Sequence, residues 1–199
     1  MRKLFCLLLV LVCIGSAALA ATVPSKTTAD LNTTTKITTE SGEIVDSLVI
    51  VPFVDAGESK AAYEQKLAVC NGELKKLAEV VARDNSIEGY FGEVKNAVGE
   101  TVSLEGKSVD EFMPLVASGV ESIGDASVKV GFRFATTYAV DEAVVVLVGV
   151  VNAETGEVEW IALEGVGTED GGIEVVFTAE LLAAIQNGDA MMAIASDAE

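Results

Sequence analysis

The sequence of 199 residues predicts a mainly β fold with some helix, of the α+β class. Three patterns carry that prediction. Val128, Val130, Phe132 and Phe134 alternate with Lys129, Gly131, Arg133 and Ala135, the period of a half-buried strand. Ala143–Val151 is apolar throughout, as a central strand buried on both faces requires. Tyr63, Leu67, Cys70, Leu74, Leu77 and Val81 recur at helical spacing and fall on one stripe. The expected architecture is an antiparallel β-sandwich-like C-terminal unit over 106–199. It packs with an N-terminal strand and an amphipathic helix contributed by 46–105.

The first twenty residues read as a cleaved secretory signal. Met1-Arg2-Lys3 is basic, Leu4–Ile14 is an apolar run, and Ala18-Leu19-Ala20 has the small-x-small form of a signal-peptidase site. The run is too short to span a membrane. Val12 precedes Cys13 where a lipoprotein site needs a small residue, so no lipid anchor is expected.

Residues 21–45 are threonine-rich. A flexible or O-glycosylated stalk and a pair of strands are the two readings. Order is expected from Thr33, with Ser41-Gly42 turning between Thr33–Glu40 and Glu43–Phe53. Asn32-Thr33-Thr34 fits a glycosylation sequon, which matters only for a eukaryotic source. Ser47–Phe53 reads as a strand ended by Pro52, and 55–59 as a turn.

The helix is expected to start at Ser59 and to end at Asp84-Asn85-Ser86. Gly72 costs its interior about 1 kcal/mol relative to alanine. Fewer than four heptads are present, so the helix is read as lying across its own sheet rather than in a coiled coil. Residues 86–105 are glycine-rich and acidic, with a short strand at Glu100–Leu104. Ser108 and Glu111 match a capping box and predict a short helix, interrupted by Pro114.

Beyond Val151, a turn at 152–156 leads to a strand over Glu157–Leu163. Glu169-Asp170-Gly171-Gly172 is a second turn, and Ile173–Phe177 a further strand. Thr178 caps a helix, Ala179–Gln186, which Asn187-Gly188 closes. Ala190–Ala195 is the last strand. Short connections imply antiparallel pairing.

Charge and composition narrow the function. The net charge is −18, and loss of Arg2 and Lys3 with the leader makes it −20. So acidic a surface repels nucleic acid and favours solubility or capture of basic partners. Histidine is absent. That excludes Ser-His-Asp and Cys-His nucleophiles, His-bearing zinc sites and imidazole acid–base chemistry. Cys6 and Cys13 lie in the leader, so the mature chain keeps Cys70 alone. Its place on the helix stripe reads as core packing.

Four acidic groupings could in principle serve a hydrolase: Asp110-Glu111, Asp141-Glu142, Glu169-Asp170, and Glu154 with Glu157 and Glu159. A glycosidase needs two carboxylates about 5–10 Å apart across a sugar cleft. These groups are read instead as solvated turns and helix caps. The loops Asn152–Glu157 and Thr168–Gly171 offer calcium-type oxygens but lack EF-hand spacing. No cofactor or metal ligand set is expected. Trp160 sits on an alternating apolar face and reads as a core anchor. Tyr90, Phe91 and Tyr138 lie near turns and are the candidate ligand contacts.

The late half carries a resemblance. Phe134–Tyr138, Val145–Gly149, Trp160–Glu164, Phe177 with Leu181-Leu182, Gln186-Asn187-Gly188 and Ala193–Ser196 resemble, in composition and order, a module of uncharacterised secreted and surface proteins of gut-dwelling anaerobic Gram-positive bacteria. The resemblance covers roughly 108–197. Those proteins often continue into a wall-sorting or membrane tail, and Asp197-Ala198-Glu199 departs from that pattern. The resemblance implies a location and an architecture, with no catalytic residues to carry over.

The expected function is a non-enzymatic binding or structural module outside a bacterial cell, secreted or surface-associated, with a protein or glycan partner. The alternatives are a carboxylate-based hydrolase and an acidic binder or inhibitor of a basic secreted protein.

Overall fold

The computed structural model describes residues 33–51 and 60–198. The expected leader, the segment up to residue 32 and the turn at 55–59 lie outside the described residues. In chain order the elements are β1 (Thr33–Thr39), β2 (Val49–Val51), α1 (Lys60–Asp84), α2 (Glu88–Phe91), β3 (Val94–Asn96), β4 (Thr101–Val102), β5 (Lys107–Ser118) and β6 (Val128–Arg133). Then follow β7 (Ala143–Val151), β8 (Val158–Gly167), β9 (Ile173–Phe177), α3 (Ala179–Asn187) and β10 (Ala190–Asp197). The fold is α+β and mainly antiparallel β, as the patterning predicts.

The main sheet runs β1-β6-β9-β8-β7-β10-β5-β2. Every neighbouring pair on that path is antiparallel. The sheet curls until its two end strands meet, where the Thr34 hydroxyl donates to the Ile50 carbonyl. The two layers of a sandwich are therefore opposite walls of one nearly closed sheet. Its inner face packs Met113, Leu115, Val130, Phe132, Val146 and Phe177 among others. α3 closes one end by burying Leu181, Leu182 and Ile185 against that core, and Thr178 Oγ1 caps it by accepting from Leu181 N at 3.3 Å.

The outer face is covered on one side only. There Cys70, Leu77 and Val81 of α1, with Ile87 and Phe91, pack on Phe112, Leu147, Met191 and Ala193. Strands under this cover have both faces dry, which is why Ala190–Ala195 of β10 is buried at every position. On the uncovered side β9 reverts to strict alternation, with Ile173, Val175 and Phe177 inside and Glu174 and Val176 outside.

One expectation needs correction. The capping box at Ser108 and Glu111 starts no helix; it lies in β5, a strand of twelve residues. Local capping chemistry is worth about 1 kcal/mol. Pairing the length of β10 while burying Val109, Phe112, Met113 and Leu115 outweighs it. Pro114 stands opposite Met191, beyond the last β2–β5 partner, Val116, so no described strand flanks its other edge. The segments 46–105 and 106–199 contribute strands to the same sheet. β2 extends the sheet beside β5, and β3 joins β8 in parallel.

Candidate binding cleft

The three aromatic candidates are packing residues. Tyr138 is 3 % exposed and Phe91 6 %. Phe91 meets Trp160 edge to face at 4.8 Å, and Tyr90 lies 6.0 Å from the same indole. Tyr90 is half-buried and donates its hydroxyl to Glu73 Oε2 at 2.7 Å. Burial, followed by that bond to Glu73, holds its proton well above the usual phenol range. These rings look exposed in the sequence because they neighbour turns; α1 and the outer sheet face close over Tyr90 and Phe91, while Tyr138 packs in the inner core edge to face on Phe134 at 6.4 Å.

Cys70 is 1 % exposed. Burial, and then the nearby Glu73 carboxylate, pushes its thiol up to about 12, so it carries almost no thiolate at neutral pH.

Two of the acidic pairs do meet. The β5–β10 register steps from Val109↔Ala195 to Glu111↔Ile194, leaving Asp110 as the extra residue of a bulge. This brings both carboxylates to the open end of the sheet, under the loop 134–142. Glu111 Oε1 accepts from Thr136 N at 3.1 Å and Thr136 Oγ1 at 3.0 Å. Tyr138 donates to Asp110 Oδ2 at 3.5 Å. Glu142 Oε2 accepts from Ala139 N at 2.7 Å. Burial raises the Glu111 pKa above the usual carboxylate range, opposed by the two Thr136 bonds and helped by Asp110. With Glu111 4 % and Tyr138 3 % exposed, a sugar ring has no route to this pair. The carboxylates fasten a loop.

In the two calcium-like loops the Asn152 and Asp170 side chains serve their own turns. Asn152 Oδ1 accepts from the backbone of Glu154 and Thr155. Asp170 Oδ1 accepts from Thr168 Oγ1 at 2.6 Å and from Gly172 N. Among the described residues no three acidic or cysteine side chains are grouped to hold a metal ion.

An open cleft of about 310 Å³ lies elsewhere, on the outer face. It exists because β8 changes partner. Along one edge β8 pairs with β7 throughout. Along the other it pairs with β3 at Ile161 and Ala162, then with β9 from Gly165. Leu163 and Glu164 fall between, at a fork where the β3–β4 hairpin peels into the outer layer. Val102, Val145 and Ala162 give the cleft an apolar lining, and Asn96, Lys107 and Glu164 supply its polar groups.

The polar groups differ in role. Asn96 builds the hairpin: its Oδ1 accepts from Val98 N and Glu100 N, and its Nδ2 donates to Glu100 Oε2. Lys107 Nζ donates to Asp197 Oδ1 at 2.9 Å while its side chain is only 17 % exposed. One N–H of three is thus spent on a carboxylate that is 90 % exposed. The ammonium in turn holds Asp197 below the usual carboxylate range. Glu164 is exposed and has no bonded partner among the described residues.

No family model matches the chain, and neither does any curated protein or solved structure. The cleft therefore has to be read from its own chemistry. Its volume sits at the lower end of small-molecule sites, about 300–1,000 Å³, and an apolar lining with few polar groups is their usual make-up. Sequence reasoning missed it entirely. Lys107 of β5 lies far in sequence from the cross-strand pair Val145 and Glu164, and Asn96 and Val102 come from a hairpin further still; no local pattern joins them, and the fork in β8 does.

Proposed function

We propose that this chain is a non-enzymatic binding module that acts outside the cell, secreted or at the cell surface. The observation that carries the reading is the cleft at the β8 fork: open, apolar-lined, with the Lys107 ammonium and the exposed Glu164 carboxylate in its lining. Export rests on the expected leader at 1–20. Cys70, Glu111 and Tyr138 are spent on structure, since Cys70 is buried in the α1 packing and Glu111 and Tyr138 fasten a loop. That disfavours the carboxylate-hydrolase alternative, which needs its acids in reach of substrate.

The test is a ligand screen of the chain beginning at Ala21, over peptide and glycan arrays, followed by amide-shift mapping of each hit. The reading expects hits whose shifts cluster at Val102, Val145 and Ala162. Hits that map elsewhere, or turnover of a substrate, would count against it. The charge of −18 supports a second reading, capture of a basic secreted protein; its mark would be an affinity that collapses between low and physiological salt.

A further inference from the structure

We propose that the cleft at the β8 fork takes a short peptide with free ends and small aliphatic side chains. This deepens the binding-module reading and rests on it. Three features of the cleft carry the assignment.

The first is charge placement. The Lys107 ammonium retains N–H donors beyond the one given to Asp197, and the Glu164 carboxylate is exposed with no side-chain partner among the described residues. A cation and an anion across one small cavity match a ligand carrying both charges, because each end gains a charge-assisted bond.

The second is span. Lys107 stands opposite Asp197, Ala195 opposite Val145, and Val145 opposite Glu164. The two charges are thus three strands apart, about 14 Å across the sheet by strand spacing, and are offset by two residues along it. Both side chains line the same cavity and stand off the same face of the sheet, so a ligand that meets both bridges a gap of that order. The two ends of a dipeptide or tripeptide fit such a gap, whereas those of a single amino acid are too close together.

The third is the lining. Val102, Val145 and Ala162 offer apolar contact with no aromatic ring to stack a sugar face. Short aliphatic side chains gain by burial there at about 25 cal/mol per Å². Asn96 spends its amide on the hairpin turn, which keeps the wall in place without ligand.

Calorimetric titration with valyl-valine tests this, using the free dipeptide, its N-acetyl form, its C-terminal amide and the doubly blocked form. The free dipeptide is expected to bind, and blocking either end to weaken binding about tenfold, the loss of one charge-assisted contact. Lys107→Met should make the protein indifferent to amidation, and Glu164→Gln indifferent to acetylation. Both positions are at the rim of the fold, so unchanged melting temperatures certify the variants. Equal binding of the doubly blocked peptide, or no binding of the free one at about 1 mM, overturns the assignment. So does any series in which the two variants match the parent chain. If an oligosaccharide instead shifts the Val145 and Ala162 amides, the peptide assignment falls while the binding-module reading stands.

Discussion

Glu111 is the residue whose environment departs furthest from what its neighbours in sequence imply. Its carboxyl is buried in the sheet interior and receives two bonds from Thr136. Because burial raises its folded pKa, the folded protein keeps a proton there at pH values where the unfolded chain has lost it. Stability from this group is therefore present below the unfolded value and is lost as pH rises through the folded one. Glu111→Gln keeps the acceptor and removes the titration. Its melting temperature should exceed that of the parent chain by a few degrees at pH 8, and the gap should close near pH 4; thermal scans across that range check this. Glu111→Ala leaves the Thr136 amide without its acceptor and should cost about 1–3 kcal/mol in urea titration. Cys70 makes a second residue-level prediction. With its thiol near 12 and 1 % exposed, iodoacetamide should leave the native protein unlabelled at pH 7.5 and label it fully in denaturant.

At the scale of elements, α1 is held by its buried stripe. Leu77 is fully buried at the centre of the outer core. Leu77→Ala should cost about 2–5 kcal/mol, read as a shift in the urea midpoint. The loop 134–142 depends on a close backbone approach. A Cβ on Gly167 would stand 1.9 Å from the Ala139 carbonyl oxygen, and Asp141 N donates to the Gly167 carbonyl. Gly167→Ala should therefore displace the loop, seen as faster amide exchange over 134–142, with α1 protection unchanged. β5 shows how far an element's fate lies outside it. Its Ser-x-x-Glu signal is a sound helix start in isolation, yet the strand beside it captures the segment.

At the scale of the molecule, closure of the sheet and net charge set the behaviour. β1 and β2 seal the seam, so a chain that starts after Thr39 exposes the outer edge of β6 along Val128–Arg133. Such a truncation should aggregate, whereas one starting at Ala21 should stay monodisperse in light scattering. The charge of −18 means the compact state repels itself. Added salt, from about 10 to 150 mM, shortens the screening length from about 30 to 8 Å and should raise the melting temperature.

The periodic elements were legible from the residues alone. The helix stripe, expected from Tyr63 and packed from Cys70 to Val81, the alternation at Val128–Phe134, the buried β7, the Thr178 cap and the turns at 152–156 and 169–172 stand where period and turn chemistry place them. Each is specified by side chains within a few residues of one another, so a local reading reaches it. Burial of Cys70 was legible for the same reason, and the absence of histidine excluded whole chemistries outright. Only the tertiary structure decided that β5 is a strand, that Tyr90, Phe91 and Tyr138 are packed, that two acidic pairs meet at one loop, and that β8 forks to open a cleft. Those outcomes depend on which strands lie side by side after the sheet curls, a non-local pairing between residues up to about a hundred positions apart that no short window of sequence encodes.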